Sequence, residues 1–421
     1  MRTTTVIIGA GHSGLAMSRR LTERSIDHVV LERGEVANSW RTERWDSLRL
    51  LTPTWHATLP GAHQPASDPD GYMTMPQVIE AISGYAVAID APVHTHTAVT
   101  RVSATDGGYD VQTDQGTWST ASVVLASGAC NQPSIPAAAE GVPAGVSQLT
   151  PLSYRSPGQL APGGVLVVGA SASGAQLADE ISRSGRRVVL STGEHVRMPR
   201  MYRGRDVFRW LESAGILDET HDQMDDLIRA RHVPSPQLIG TPERRDLDMN
   251  ALRDQGVEVV GKLGTIRDGV ALFSGGLGNT YQLADMKLKR MLDRFDAWAE
   301  AAGVADELAA PDRPEPTRPD PEDRIELHLE RVGIGTVIWA TGYRPDLSWL
   351  DAPVFGYKGA IRHDGGVVTG SPGLYLLGST LLRRRRSSYI GGAAQDTADL
   401  ADHLLAHLAG RVPPQAEPLP A

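Results

Sequence analysis

The sequence predicts an α/β protein with two parallel sheets, the second inserted into the first. Three features predict it: two glycine-rich turns, each leading from an apolar strand into a helix, and a stretch of period-two alternation between them. The first turn opens the chain. Thr5-Val6-Ile7-Ile8 runs into Gly9-Ala10-Gly11-His12-Ser13-Gly14, and Leu15 to Leu21 continues at helical spacing. Gly9 makes the tight turn, Gly11 leaves the backbone bare for a pyrophosphate, and Gly14 lets the helix pack close to the strand. The free N–H groups of the helix start then face the phosphates. A second strand, His28 to Leu31, runs into Glu32, eighteen residues after Gly14. A carboxylate there is placed to accept the hydrogen bonds of an adenosine ribose.

The second turn is Gly169-Ala170-Ser171-Ala172-Ser173-Gly174, after the apolar run Gly164 to Val168. Ser171 takes the middle glycine position, where a hydroxyl can still bond a phosphate. The next strand ends at Ser191-Thr192 instead of an acid, so no carboxylate repels a 2′-phosphate. With Arg197 and Arg200 close behind, the pattern favours NADPH over NADH, although Glu194 lies between. Two such sites on one chain imply electron transfer between FAD and a nicotinamide. The expected architecture is two Rossmann-like dinucleotide-binding domains, the NADPH domain inserted into the FAD domain, with a small antiparallel β-meander. The boundaries are 1–155 and 333–410 for the FAD-binding domain, 160–332 for the NADPH-binding domain, and 411–421 for a disordered tail.

Composition narrows the function. A net charge of −9 over 421 residues argues against nucleic acid or an anionic membrane as partner. One cysteine, Cys130, provides neither a disulfide framework nor a dithiol pair. No apolar run reaches membrane-spanning length, and the first strand starts too early to leave room for a leader. The expectation is a cytoplasmic enzyme, monomer or homodimer, acting on a small molecule. Only four of the 41 basic residues are lysines.

The remaining elements follow in order. Gly34 to Gly61 carries Trp40, Trp45 and Trp55 in an irregular stretch, either an aromatic-anchored loop or a wall of the flavin or substrate pocket. Met75 to Ala86 is an amphipathic helix with Val78, Ile79, Ile82 and Tyr85 on one face. Ala98 to Val124 alternates with period two and is interrupted at Gly107-Gly108 and Gly116, which predicts the meander. Its last strand ends in small residues up to Gly128, where a cofactor can pass close to the backbone. Tyr281 to Ala302 is a helix whose stripe of Leu283, Met286, Met291, Leu292, Phe295 and Trp298 reads as core. Asp312 to Asp323 is a Pro-rich linker, extended and mobile. Gly335 to Pro345 repeats the strand-into-small-residues pattern and marks the return to the first domain. A last strand ends at Gly378. Arg383 to Arg386 is either a solvated turn or a clamp for a carboxylate or phosphate. The helix from Ala394, preceded by Gly391 and Gly392, points its positive end where the N1/C2 carbonyl edge of a flavin would lie.

From Val6 to about Leu408 the chain resembles the class B flavoprotein monooxygenases, on the bacterial branch near the plant YUCCA-type enzymes and the flavin-containing monooxygenases. The matching pieces are Gly9-x-Gly11-x-x-Gly14, Trp40-Arg41, the stretch Asp46 to Pro60, Gly169-x-Ser171-x-Ser173-Gly174 and Ala340-Thr341-Gly342-Tyr343. The resemblance implies bound FAD, NADPH as reductant and O2 as co-substrate. It implies a C4a-(hydro)peroxyflavin that passes one oxygen atom to a small nitrogen, sulfur or aromatic-carbon nucleophile. The implied FAD residues are Gly9, Gly11, Ser13, Gly14, Glu32, Arg33, Trp40, Arg41, Leu51, Thr52, Val99, Gly128, Gly378 and Gly391. The implied NADPH residues are Gly169, Ser171, Ser173, Gly174, Ser191, Arg197, Arg200, Thr341 and Gly342. Thr52 and Trp55 are the candidates for lining the reacting face of the flavin.

Two departures from the family pattern bear on the reaction. Baeyer–Villiger members carry a histidine before the second turn, near where this chain has Thr150, so ketone insertion is the lesser alternative. Thr52 replaces the asparagine that flavin-containing monooxygenases place near the flavin. A non-oxygenating NADPH-linked flavin reductase is the other alternative. No triad, carboxylate pair or metal-ligand spacing is present, so no general base and no metal are assigned.

Overall fold

A computed structural model describes residues 1–62, 68–319 and 322–411. The first sheet begins with β1 (Arg2–Ile8), β2 (His28–Leu31) and β3 (Val93–His94) and continues through β4 (Val99–Thr105), β5 (Gly108–Thr113) and β6 (Gly116–Leu125). The chain leaves along β7 (Gln132–Pro133) and builds a second sheet from β8 (Ser147–Leu149), β9 (Gly164–Val168), β10 (Val188–Ser191), β11 (Glu258–Val260) and β12 (Ile334–Trp339). It returns along β13 (Tyr343–Arg344). It then adds β14 (Leu350–Asp351) beside β4 and β15 (Leu374–Leu376) beside β6.

The first sheet has the order β14-β4-β5-β6-β1-β2-β3. Strands β3, β2, β1, β6 and β15 run parallel, and β4, β5 and β6 form the antiparallel meander. Strand β6 belongs to both parts because one of its edges carries two partners. Its first half pairs with β5 and its last three residues pair with β15. The second sheet, β11-β10-β9-β12-β8, is parallel throughout. Every residue of β9 is buried, as expected of a strand covered on both faces. The two passages between the sheets, β7 and β13, pair with each other as an antiparallel ribbon.

Helices α1 (His12–Glu23), α2 (Met75–Ala88) and α6 (Ala393–Leu408) share one apolar cluster on the first sheet through Leu15, Met17, Val78, Ile82, Leu400 and Leu404. The start of α2 is fixed by a capping box between Thr74 and Gln77. The second sheet is covered by α3 (Ala172–Arg183) on one face and by Phe273, Leu327 and Trp339 on the other. Between these helices in sequence lie α4 (Val207–Ser213) and α5 (Leu277–Ala301).

Two expectations need correction. Helix α5 starts at Leu277, and its buried face is Leu277, Tyr281, Ala284, Leu288, Leu292, Phe295 and Ala299. Leu283 and Met286 are instead 41% and 42% exposed. The helix has more apolar residues than one face can hold, and the neighbours it packs against choose among them. Within the Pro-rich linker, Thr317 and Arg318 are tied down rather than free. Thr317 is buried and donates from both N and Oγ1 to Asp285, while Arg318 is bonded to Asn250. The expected tail, apart from Arg411, lies outside the described residues. Among the described residues no helix is long and apolar enough to cross a membrane.

Candidate active site

The two glycine turns are built alike. Gly9 and Gly169 have φ of +109° and +103°, where a side chain is strained. A Cβ on Gly14 would stand 1.9 Å from the Gly9 carbonyl oxygen, and one on Gly174 would stand 1.8 Å from that of Gly169. Each helix therefore sits directly on its turn. A Cβ on Gly11 would meet nothing within 4 Å, so the space above the first turn is open. Helices α1 and α3 have no side-chain cap and no acidic residue in their first turns. Their N-terminal N–H groups are thus left to an anion. These features fit a dinucleotide at each turn.

The residues meant for FAD gather at the carboxyl ends of β1, β2, β6 and β15. Glu32 is buried and accepts from the amides of Ala10 (2.9 Å) and Gly34 (3.1 Å), which holds the turn while its remaining lone pairs stay available. Ser13 lies against Gly378 and Gly128 follows β6. Val99 opens β4, two residues after Thr97, whose amide donates to the Glu32 carbonyl. Thr52 is buried. Gly391, just before α6, packs on the His56 carbonyl oxygen. Arg33 and Arg41 turn outward: Arg33 pairs with Glu43, and Arg41 bonds the Val36 carbonyl and Ser83. Trp40 is half-buried with Arg44 over its ring.

The NADPH set gathers less completely. Gly169, Ser171, Ser173 and Gly174 form the turn, with Thr341 and Gly342 next to it at the end of β12. Tyr343 reaches back to Ser173 (Oγ to phenol oxygen, 3.3 Å). Ser191 is buried and engaged with the neighbouring strand, donating to Gly261 O and accepting from Leu263 N, both at 2.9 Å. The two arginines require correction. Arg197 is buried and held by Asp248 and Asp285 at 2.7 and 2.8 Å. Arg200 has no exposed surface and donates to Leu51 O and Asp206. Neither lies open to a 2′-phosphate, because carboxylates 50 to 90 residues further on, invisible to local spacing, had already claimed the first.

A cation near the end of β10 that the sequence reading did not single out is Lys262. It follows β11, is exposed, and lays its stem along Gly193, just past the end of β10. The available signal was its rarity and its place directly after a strand. Glu194 is neutralised by Lys287, whose hydrogen bond holds that carboxyl below its usual range.

Where the two units meet, two tryptophans and four arginines do different work. Trp45 is buried in the core of the second unit, and Trp55 packs beside Phe208 of α4 with Arg209 over its ring at 3.9 Å. His56 is enclosed by Trp55, Phe208 and Tyr389, and burial pushes its imidazole down to about 4. Arg383 and Arg384 pair with Asp399 and Asp396 of α6. Arg385 pairs with Glu219, and Arg386 with Glu212 and Asp218. The basic run is therefore neither a solvated turn nor a free anion clamp; it fastens the start of α6 to the segment after α4.

Residues 6–212 match the family described as pyridine nucleotide-disulphide oxidoreductase. An uncharacterized CzcO-like oxidoreductase of Geobacillus kaustophilus is 29% identical over 406 residues, 96% of this chain and 98% of that protein. Indole-3-pyruvate monooxygenase YUCCA6 of Arabidopsis thaliana is 32% identical over 223 residues, 48% of this chain and 51% of its own. Among solved structures, the flavin-containing monooxygenase from Stenotrophomonas maltophilia shares the fold, with a TM-score of 0.69 at 20% identity over 97% of this chain and 99% of that one. With two glycine turns on one chain, the protein is thus similar to pyridine nucleotide-linked oxidoreductases over residues 6–212, and it shares the fold of a flavin-containing monooxygenase over nearly its whole length.

Proposed function

We propose that this enzyme uses NADPH and O2 to place one oxygen atom on a small nitrogen, sulfur or aromatic-carbon nucleophile. The observation that carries this reading is the pair of uncapped helix starts over glycine turns, on two sheets joined by the β7–β13 ribbon. FAD supplies the oxygen-activating chemistry when bound. The chain binds both dinucleotides, orients them and excludes water. Glu32 takes the FAD ribose, the α1 start takes its pyrophosphate, and the α3 start takes that of NADPH. Lys262 replaces Arg197 and Arg200 as the cation for the 2′-phosphate. We assign residues 1–155 and 333–410 to FAD and 160–332 to NADPH.

Two features weigh against the alternatives. Thr150 closes a turn, its amide donating to Ser153 Oγ at 3.0 Å, and offers no imidazole for a ketone reaction. Cys130 is the chain's one cysteine, and burial pushes its thiol up, which suits no dithiol exchange. The test is turnover under 18O2 with a panel of amines, thioethers and aromatic nucleophiles. One labelled oxygen per product and NADPH consumption stimulated by substrate are expected. Label-free product, or NADPH oxidation that yields only hydrogen peroxide with every substrate, overturns the proposal.

A further inference from the structure

Arg200 is a fully buried guanidinium that the reaction outlined above does not use. Its Nη1 donates to the Leu51 carbonyl oxygen at 3.0 Å and to Asp206 Oδ2 at 3.3 Å. The Tyr72 ring lies against it, 4.7 Å from its central carbon, and the Tyr72 hydroxyl donates to the same Asp206 oxygen. Its backbone amide donates to Asp246 at 2.6 Å, and Asp206 Oδ1 caps the start of α4 through the Phe208 amide at 2.8 Å. Nearby, the backbone of Gly240 approaches Leu50 so closely that a Cβ there would stand 2.2 Å from the Leu50 carbonyl oxygen. The second unit thus grips residues 50–52 of the first from two sides, and Arg200 supplies the charged hydrogen bond.

We propose that Arg200 is a positioning residue: by holding the Leu51 carbonyl, it fixes where the Leu51-Thr52 segment lies against the flavin and ties that placement to the NADPH-binding unit. The inference rests on the reading that Leu51 and Thr52 face FAD. A buried charged donor on a carbonyl is a strong tether, and it is costly to break because Asp206 and Leu51 O lose their partner together. Lysine is not equivalent, since its shorter side chain lacks the planar guanidinium that lies against the Tyr72 ring while Nη1 reaches both acceptors.

The test compares Arg200→Lys with Asp206→Asn and Tyr72→Phe. The latter two weaken the same buried network but leave the donor to Leu51 in place. In the oxidised, FAD-loaded protein without NADPH, Arg200→Lys is expected to change the near-ultraviolet and visible circular dichroism of the flavin, with FAD content retained. The two controls are expected to lower Tm without that spectral change. In turnover, Arg200→Lys is expected to lower product per NADPH by on the order of tenfold, as a displaced catalytic face does. An unchanged flavin spectrum in Arg200→Lys overturns the proposal, as does an equal spectral change in the controls at equal loss of Tm. If the wild type shows no oxygenation but the spectral difference persists, the oxygenase reading fails and the positioning role stands. If Arg200→Lys does not fold, hydrogen exchange of the wild type decides. Residues 50–53 are expected to be as protected as residues 200–206, and fast exchange at 50–53 alone overturns the proposal.

Discussion

The two glycine turns of this chain share their backbone and differ in what closes them. Both bring the helix within touching distance of the turn carbonyl, and both leave the helix start uncapped. At the first, the strand is followed by Glu32, which accepts from the Ala10 amide of the glycine turn and from the Gly34 amide of its own loop. At the second, the strand ends on Ser191, whose hydroxyl bonds Gly261 and Leu263 across to the neighbouring strand. The lesson is that the glycines fix the pyrophosphate position, whereas the residue at the end of the second strand sets the charge met by the ribose. An acid there suits the bare diol of FAD; a neutral, occupied hydroxyl next to Lys262 suits a 2′-phosphate.

The largest expected effect tests whether the turns are independent. Gly174→Ala puts a methyl 1.8 Å from a backbone oxygen, which the helix cannot accommodate without moving. That variant is expected to purify with FAD but not to be reduced by NADPH under anaerobic conditions, whereas Gly14→Ala should lose FAD. If Gly174→Ala also loses its FAD, the turns fold as one unit and the comparison breaks.

A second test concerns the junction. His56, His28 and His195 are buried and held below the ordinary histidine value, chiefly by burial. In each case the unfolded chain takes up a proton before the folded one does. Stability is therefore intact above pH about 6.5 and falls as pH drops toward about 4 for His56, by on the order of 3 kcal/mol for that residue alone. Tm measured from pH 8 downward should decline below about 6.5, and His56→Phe should make the decline shallower. A flat profile would mean that His56 protonates freely in the folded protein.

Lys262→Met sharpens the cofactor side. Losing one charged contact should raise KM for NADPH about tenfold and leave NADH unaffected. Equal changes for both cofactors would remove Lys262 from the 2′-phosphate. The smallest effect belongs to the arginine run. Arg385 and its partner Glu219 are partly exposed, so Arg385→Gln should cost about 1 kcal/mol or less, and added salt should mask the difference. A larger loss would show that the fastening at α6 does more than hold a surface.

The legibility of this chain divides at contact distance. The glycine turns, the strand runs before them and the meander were readable because each depends on residues near in sequence: a strand period, a helix period, and glycine where a helix meets a turn. The neutral end of β10 was readable for the same reason. Arg197 and Arg200 were not, since proximity to β10 in sequence said nothing of Asp248, Asp285 or the Leu51 carbonyl. Arg383 to Arg386 could not be resolved between solvent and ligand without the acids that face them, and Leu283 and Met286 could not be told from true core positions.

The sequence by itself thus determined that there are two strand–turn–helix units, each built on a glycine turn, because at those positions a side chain would strain the backbone or strike it. Only the tertiary structure decided which cations stay free and which become internal fasteners. A buried charge goes to whichever counter-charge the packed chain brings within reach, and that choice is made between segments far apart in sequence.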